Sequence, residues 1–576
     1  MGQISLKDSR RLTGPNLQLP GPGAIVDALV EPADQPALIA AWERAVLELH
    51  SALGLAQPRI GTARFRVGVS LAFSSPIDVL YAATELNEAA FARARRELAG
   101  EALGELPLAE LRRHFERQSL PALLALESAA RERGLGILWD EEQISVGHGA
   151  GCLLLDRAQL PDPRAIDWSR VQEVPSCMVT GTNGKSTTVR LVAAMAEAAG
   201  KRPGLCSTDW VRIGREIIDR GDYSGPGGAR AVLRDPRTEV AVLETARGGI
   251  QRRGVALQAV PCAAVLNVTA DHLGEWGSWD LEELADIKMV LARAVRPGGR
   301  AVLNAEDARI VARAGGLAGE VLWFALDPAA PALAAARAAG RPYAALIDGE
   351  LVLSEGGRTR AIQRADRVRC ALYGAARHNL ANALAAIGMA SHMGLPDRAL
   401  AEALESFGRD PEDNPGRLVL FELGGLKALV DFAHNPDGQV WLLDTAKRLG
   451  ARRTLVVLGQ AGDRDNDSIL ELVRVTVEAR PDRIVIKEMQ KYLRGRQPGE
   501  VPALIEAELL RLGFPREAIS HAGSEAEALS QAMTWGQPGD VVLMFSHADR
   551  SGSIERLSAA RAAGWIPGRP WPPPGV

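Results

Sequence analysis

The sequence predicts an α/β fold with an amino-terminal α+β domain, a central domain built on a parallel sheet, and a smaller carboxy-terminal Rossmann-like domain. Two observations predict it. From about residue 170, strand patterns alternate with helical patterns, and the alternation resumes after about residue 408. A chain of 576 residues is also too long for one hydrophobic core. We expect the three domains to cover residues 1–168, 169–408 and 409–576.

The first 168 residues lack the regular alternation of strand and helix. An apolar strand pattern, RFRVGVSLAF, precedes alanine- and arginine-rich helical patterns such as LPALLALESAARERG. The loop LDRAQLPDPRAIDWSR then separates this region from the rest of the chain. We therefore expect an α+β domain that ends near residue 168.

The central region starts with a strand, a glycine turn and a helix. SCMVTG is the strand pattern, and the helix pattern KSTTVRLVAAMAEAAG stops at Gly200. Val189, Val192, Met195 and Ala198 recur at helical spacing on one face of that helix. EVAVLET, CAAVLNV and RAVLNAE are further buried-type strands, and WDLEELADIKMVLARAV is helical. This pattern is typical of a parallel sheet covered by helices on both faces.

The carboxy-terminal region repeats the pattern on a smaller scale. Its strand-like segments are LKALVDFA, RTLVVLG, DRIVIKE and DVVLMFSH, with helical segments between them. We expect a second α/β domain here.

Composition excludes several classes of protein. Hydrophobic residues make up 47% and charged residues 24% of the chain, which is ordinary for a globular protein. A net charge of −4 gives no reason to expect nucleic acid or an anionic membrane as a partner. The five cysteines form no CxxC pair, and no apolar run reaches the length of a membrane span. We expect a cytoplasmic protein without a disulfide framework.

The segment TGTNGKSTT, residues 180–188, lies between the first central strand and its helix. Backbone N–H groups and the helix dipole converge on an anion at such a turn. Lys185 would neutralise the β- and γ-phosphates, and the Ser186 hydroxyl would bind magnesium. The strict phosphate-loop pattern has four residues between its glycine and Gly-Lys, whereas this loop has two. The predicted nucleotide-binding residues here are Gly181, Thr182, Asn183, Gly184, Lys185, Ser186 and Thr187, and the predicted cofactors are ATP and Mg²⁺.

The short loop GTNGKST resembles that of the Mur ligases and folylpolyglutamate synthases, and the resemblance continues in register. It implies that Glu244 and His272 bind magnesium. Asn267 and Asp271 match the family motif that contains His272. Lys288 is implied to carry a carbamate that bridges to a metal ion. A buried lysine of near-neutral pKa is suited to take up carbon dioxide. The implied metal set is Ser186, Glu244, His272 and Lys288.

The resemblance extends to about residue 560. In HNLANALAA it implies contacts to adenosine from His378, Asn379 and Asn382. Arg417 in NPGR and the DFAHNP segment match the hinge and the carboxy-terminal domain of these ligases. The catalytic residues implied are Lys185, Glu244, His272, Lys288, Arg417 and Asp431; Arg417, His434 and Asn267 join the implied nucleotide-binding set.

Several strings resemble the cyanophycin synthetases in particular. They are RRLTGPNLQLPG at the amino terminus, LETARGGIQRRG (243–254), NPGRLVLFELGGLKALVDFAHNPDG (414–438), GDRDND (462–467) and IKEMQKYLRGRQPGE (486–500). In those enzymes an ATP-grasp module lies between the first domain and the Mur-like part. Here only about 20 residues separate EQISVGHGAGCLLLD from the phosphate loop, so we expect that module to be absent. The resemblance implies that residues 1–168 bind or position the acceptor. They hold no glycine-rich phosphate turn beside a helix, so we expect them to take no part in nucleotide chemistry.

The resemblance implies an ADP-forming, ATP-dependent ligase that joins a carboxylate to an amine through an acyl-phosphate. Its partners would be a small-molecule amine and a carboxylate or peptide acceptor, and a homo-oligomer is compatible with the sequence. Three alternatives stay open: an amidating ligase that takes ammonia from a glutaminase subunit, a folylpolyglutamate synthase, and a non-catalytic ATP-binding scaffold. The known amidating Mur-like enzyme carries a zinc ribbon, which this cysteine pattern lacks. The identities of the amine and the acceptor also stay open.

Overall fold

The computed structural model of the chain describes residues 4–271 and 280–572. Within these residues, no helix is both long and apolar enough to cross a membrane.

The amino-terminal region has two small antiparallel sheets. In the described residues the first has the strand order β1-β2-β4-β3 and the second the order β5-β6-β7. Helices α1 and α2 pack on the first sheet, and the indole N–H of buried Trp42 donates to Asn87 Oδ1 at 2.7 Å. The elements are β1 (Ser5–Leu12), β2 (Gly23–Leu29), α1 (Gln35–Leu53), β3 (Ile60–Phe65), β4 (Gly68–Ser74), α2 (Leu80–Leu98), α3 (Leu108–Gln118), α4 (Pro121–Glu132), β5 (Ile137–Trp139), β6 (Gln143–Val146) and β7 (Leu153–Asp156).

The central region contains one large sheet whose middle is parallel. Its elements are β8 (Ser176–Thr180), α5 (Lys185–Ala198), β9 (Pro203–Cys206), β10 (Trp210–Ile213), β11 (Glu216–Arg220), α6 (Pro226–Arg234), β12 (Val240–Glu244), α7 (Arg247–Arg253), β13 (Val260–Val265), α8 (Leu281–Arg293), β14 (Val295–Asn304), α9 (Ala308–Arg313), β15 (Glu320–Ala325), α10 (Pro331–Ala338), β16 (Tyr343–Ile347), β17 (Glu350–Glu355), β18 (Arg358–Arg364), α11 (Arg377–His392) and α12 (Asp397–Ser406). Across the described residues the order is β11-β10-β9-β12-β8-β13-β14-β15-β16-β17-β18. Helices α5 and α11 cover one face, and α6 and α8 cover the other.

The neighbouring strands β9-β12-β8-β13-β14-β15-β16 in the middle of this sheet run parallel, as the alternating pattern predicted. Antiparallel strands β10, β11, β17 and β18 extend it at both edges, which the alternation did not predict. These edge strands follow their neighbours through tight turns, so no crossover helix announces them in the sequence.

The carboxy-terminal region forms a second, mainly parallel sheet. Its elements are β19 (Val419–Leu423), β20 (Leu426–Asp431), α13 (Pro436–Arg448), β21 (Thr454–Leu458), α14 (Asn466–Glu478), β22 (Arg483–Lys487), α15 (Glu500–Arg511), β23 (Ile519–Ala522), α16 (Glu525–Trp535), β24 (Val541–Phe545) and α17 (Arg550–Ala562). In the described chain the strand order is β19-β20-β24-β21-β22-β23, with only the β19 pairing antiparallel. Apolar clusters lie on both faces of the sheet. The predicted fold class is therefore confirmed.

The amino-terminal region docks on the central region through backbone hydrogen bonds. The Thr13 N–H donates to the Arg253 carbonyl, and the Val255 N–H donates to the Pro15 carbonyl, both at 2.7 Å. A Cβ on Gly14 would lie 2.0 Å from the Val255 carbonyl oxygen, so only glycine fits this approach. Two strings that were singled out separately in the sequence, RRLTGPN and GGIQRRG, thus lie against each other.

Candidate active site

The phosphate loop lies at the carboxyl ends of three adjacent parallel strands, β8, β12 and β13. Ligands bind at this edge in open α/β sheets. Helix α5 begins at Lys185, and its N-cap, Gly184, has a φ of +88° and no capping side chain. A Cβ on Gly184 would lie 2.3 Å from Asn382 Oδ1. The first-turn N–H groups of α5 therefore lack a side-chain acceptor, an arrangement that suits an anion.

Asn267 holds the loop in place from the end of β13. Its Oδ1 accepts the Asn183 N–H at 2.8 Å, and its Nδ2 donates to the Asn183 carbonyl at 3.1 Å. The Thr182 N–H also donates to the Asn267 carbonyl at 3.0 Å. Asn267, which the resemblance placed among the nucleotide-binding residues, is therefore hydrogen-bonded directly to the phosphate loop.

Lys185 lies over the loop that precedes it. Its Nζ donates to the carbonyls of Gly181 and Thr182 at 3.1 and 2.9 Å. Burial lowers the pKa of Lys185, while Glu244 and Asp271 act in the opposite direction. The charge-bearing group is therefore already at the turn where phosphate oxygens would bind.

Two carboxylates lie close to the loop. Glu244 ends β12, is 1% exposed, and accepts from the Thr208 hydroxyl at 2.8 Å. Asp271 Oδ1 lies 3.1 Å from Arg464 Nη2, and its Oδ2 lies 3.4 Å from His434 Nε2. Because Arg464 and His434 belong to the carboxy-terminal region, Asp271 connects the two sheets across the cleft.

Lys288 lies on α8 and is only 3% exposed. Burial, and then the charge of Lys185, lower the pKa of Lys288 well below its ordinary value. Lys288 lines a cavity of about 430 Å³ together with the phosphate loop, Glu244, Asp271, Arg247, Arg252 and Arg417. The predicted site residues Lys185, Ser186, Glu244 and Lys288 thus share one cavity.

The metal prediction depends partly on residues that are not described. His272 lies outside the described residues. Within residues 4–271 and 280–572, no group of three or more His, Cys, Asp or Glu side chains is arranged to hold a metal ion. Buried Glu244 and Ser186 both line the phosphate cavity, so two of the expected donors fit a divalent cation near the loop.

A second cavity, of about 510 Å³, adjoins the loop and extends between the central and carboxy-terminal regions. The predicted adenosine residues line it: His378, Asn379 and Asn382. Asn379 Nδ2 donates to the Cys370 carbonyl at 2.7 Å, and Asn382 Nδ2 donates to Asn379 Oδ1 at 3.0 Å. Burial lowers the pKa of His378 to about 4, so its imidazole is neutral at physiological pH.

Arg417 lines both cavities, at the boundary between them. Its guanidinium lies 4.8 Å from the Phe432 ring centroid. Asp431 accepts the N–H groups of Leu418 and Ala433 at 2.6 and 2.7 Å. Burial raises the pKa of Asp431, although Arg417 acts in the opposite direction. Asp431 therefore holds the backbone beside Arg417, and a catalytic role for it stays a prediction.

The two regions also contact each other through Asp209, Arg550 and Asp437, which the sequence analysis did not single out. Asp209 bonds to Arg190 on α5 and to Arg550 at the start of α17. The Asn183 side chain bonds to Asn435 Oδ1 at 3.2 Å and to Asp437 Oδ2 at 2.9 Å. Isolated charged residues such as Asp209 and Arg550 are usually solvated, so nothing in the sequence indicated their ion pair. The DFAHNP segment, which contains Asn435 and is followed directly by Asp437, could have indicated the contact with Asn183.

Comparison with known proteins identifies two domains of one family in this chain. Residues 179–390 match the Mur ligase middle domain, and residues 416–547 match the Mur ligase glutamate ligase domain. Together these matches cover more than half of the chain, which therefore belongs to the Mur ligase family, whose members are ATP-dependent, amide-forming ligases.

Among its relatives, the chain is similar to a cyanophycin synthetase from Synechocystis sp., with 37% identity over 391 residues. That match covers 68% of this chain and 44% of the relative, so the chain spans less than half of the relative's length. A UDP-N-acetylmuramoyl-L-alanyl-D-glutamate–2,6-diaminopimelate ligase from Syntrophomonas wolfei is 26% identical, over 64% of this chain and 71% of that one. The solved structure of E. coli FolC in complex with DHPP and ADP covers 67% of this chain and 89% of its own, with a TM-score of 0.48 and 18% identity. The predicted resemblance to Mur ligases and cyanophycin synthetases is confirmed.

Proposed function

We propose that this protein is an ATP-dependent, ADP-forming ligase that joins a carboxylate to an amine through an acyl-phosphate. The product would be an amino acid attached to a carboxylate of an amino acid or a peptide. One observation carries the proposal: Lys185, Glu244, Lys288 and Arg417 line a single cavity, and that cavity adjoins a second one large enough for a nucleoside.

The chemistry follows from the poor electrophilicity of a carboxylate. A carboxylate oxygen attacks the γ-phosphorus of ATP, the bond to the β-phosphate oxygen breaks, and ADP leaves. The amine then attacks the acyl carbon, phosphate leaves, and the nitrogen loses a proton. Lys185 and Arg417 bring positive charge to the transferring phosphoryl group. A magnesium ion held by Ser186 and Glu244 would neutralise further phosphate charge when bound.

Closure of the carboxy-terminal domain would protect the acyl-phosphate from water. The Asp209–Arg550 ion pair and the Asn183–Asp437 hydrogen bond both join the central region to the carboxy-terminal region beside the cleft. These contacts support a working cycle in which the reaction takes place in the closed form. We also propose a cytoplasmic location, where ATP is available to such a ligase.

The proposal is tested by incubating the protein with Mg²⁺, ATP and pairs of amino acids and β-aspartyl peptides. We expect ADP release that requires an acceptor carboxylate, and an amide product with one matching amine, read by mass spectrometry. Hydroxylamine in place of the amine should yield a hydroxamate, because it traps an acyl-phosphate. An ammonium arm tests the amidating alternative. ATP binding without ADP release in any arm would support the non-catalytic scaffold instead.

A further inference from the structure

Trp441 occupies a position in the nucleoside-sized cavity that no part of the sequence analysis anticipated. It lies on α13 in the carboxy-terminal domain and lines the cavity together with Asn183 and Gly184 of the phosphate loop. Its side chain is half-buried, so part of the indole surface borders the open volume. The part of a large aromatic ring that faces a cavity can stack on a planar ligand.

Asp437 lies one helical turn before Trp441 on α13 and bonds to the phosphate loop. The Asp437 carboxylate accepts from Asn183 Nδ2 of the phosphate loop at 2.9 Å and from the Thr269 hydroxyl at 3.4 Å. The i, i+4 spacing places Asp437 and Trp441 on one face of α13. The start of α13, the helix that carries Trp441, is therefore joined to the phosphate loop through the Asp437 carboxylate.

His378 adjoins Trp441 from the other domain. The two ring centroids are 6.1 Å apart and the planes are tilted by 51°. Rings this close leave no room for a third ring between them, so a base would lie against the ring surface that borders the cavity. The Nδ1 of His378 is buried and has no hydrogen-bond partner among the described residues, and its neutral ring adds no charge there.

We propose that Trp441 is the stacking platform for the base of the bound nucleotide. This rests on the proposed function only in requiring that the cleft bind a nucleoside triphosphate. With the phosphates at Gly184 and Lys185, the nucleoside extends along the cavity to the corner formed by Trp441 and His378. Because Trp441 and His378 belong to different domains, the base binds to both domains at once. Trp441 thus contributes affinity for an aromatic base and links base binding to closure.

The test compares two ligands that share the triphosphate charge and differ in the base. Isothermal titration with Mg²⁺ measures the affinity of AMP-PNP and of inorganic tripolyphosphate. For Trp441→Ala we expect AMP-PNP affinity to fall about tenfold, in the range of base stacking on an aromatic ring, and tripolyphosphate affinity to be unchanged. Trp441→Phe should retain most of the AMP-PNP affinity, because it keeps an aromatic face.

Val440→Ala is the matched control, since Val440 is the preceding residue, is 48% exposed and does not line the cavity. Trp441→Leu gives the same comparison with an apolar, non-aromatic side chain if the alanine variant does not fold. Equal losses for both ligands, or unchanged AMP-PNP affinity in a folded Trp441→Leu variant, would overturn the inference. Failure of the wild-type protein to bind AMP-PNP would instead contradict the proposed function.

Discussion

Asp209 of the central domain forms an ion pair with Arg550 of the carboxy-terminal domain, with Oδ1 and Nη2 2.7 Å apart. The other carboxylate oxygen bonds to Arg190, a fully buried arginine on the phosphate-loop helix α5. Burial would raise the pKa of Asp209, but the guanidinium groups of Arg190, Arg550 and Arg417 lower it to about 2. The bridge between the phosphate-loop helix and the carboxy-terminal domain is therefore fully charged at neutral pH.

Asp209→Asn should uncouple ATP use from amide formation. The substitution keeps the shape and removes the charge that holds the closed form, so water would reach the acyl-phosphate. We expect the ratio of phosphate released to amide formed to rise about tenfold, which corresponds to roughly 1.4 kcal/mol lost from closure. Asp366→Asn is a suitable control, because Asp366 is exposed and pairs with neighbouring Arg364. An unchanged ratio would mean that the ion pair does not hold the closed form.

The same carboxylate predicts a pH dependence of stability. Its pKa falls from an ordinary 3.8 to about 2 on folding, a difference worth roughly 2 kcal/mol. Because the folded-state pKa is the lower one, this stabilisation is fully present above about pH 4 and is lost as the pH falls through about 2. The difference in Tm between the wild type and Asp209→Asn should therefore shrink as the pH is lowered from 5 to 3. A difference that stayed constant over that range would contradict this account.

Lys185→Ala should abolish ATP turnover and leave the fold intact. In the proposed mechanism the lysine supplies charge to phosphate oxygens, and among the described residues its Nζ bonds only to carbonyls of its own loop. Its loss should therefore affect the transition state more than the core. ADP release measures ATP turnover, and the far-UV circular dichroism spectrum shows whether the variant is folded. Lys201→Ala is the control, because Lys201 is exposed and lies 3.8 Å from Glu239. Undiminished turnover in folded Lys185→Ala would refute the assignment.

Lys288→Ala should lose activity and recover part of it when short carboxylates such as acetate or formate are added. Lys288 is buried on α8 beside the phosphate cavity that Glu244 also lines, which is where a carbamate would act. Rescue by an added carboxylate is expected only if the missing group was itself a carboxylate. Lys185→Ala with the same additives is the control, since a lost ammonium is not replaced by an anion. Absence of any rescue would argue against carbamylation.

Arg230→Gln should raise the KM for the acceptor and spare the affinity for ATP. Arg230 lines a cavity of about 510 Å³ between the amino-terminal and central domains, together with Arg11, Arg157 and Arg253. Burial and neighbouring Arg234 lower the pKa of Arg230, whereas Asp140, which lines the same cavity, acts in the opposite direction. An anionic acceptor group would pair with the guanidinium of Arg230. We expect KM to rise about tenfold or more, because a hydrogen bond to a charged group contributes about 1.5–3 kcal/mol. Exposed Arg95→Gln is the control.

This point variant is preferable to deletion of residues 1–168. Deletion would remove Pro15, whose carbonyl accepts from the N–H of fully buried Val255, and would expose that apolar surface. If Arg230→Gln changed the ATP affinity and the acceptor KM equally, the amino-terminal domain would have a general structural role and no specific part in acceptor binding.

The sequence predicted what is set locally or by an uninterrupted pattern. The phosphate loop could be located because the backbone between a buried strand and a helix presents N–H groups wherever that order occurs. The parallel sheets followed from the alternation of apolar strands and helices. Glu244 and Lys288 were located because the family resemblance continued in register after the loop, and the structure brings both into the loop's cavity.

Tertiary structure alone decided which polar residues, far apart in the sequence, contact each other. Asp209 and Arg550 are separated by 341 positions, and neither carries a local pattern that distinguishes it from a solvated surface charge. Trp441 likewise appears in the sequence as one apolar residue of an amphipathic helix. Its position in the cavity depends on how the carboxy-terminal domain closes on the phosphate loop through Asp437 and Asn183. Local propensities fix helices and strands, but the approach of two domains is fixed by the contacts between them, which a single sequence does not encode as a pattern.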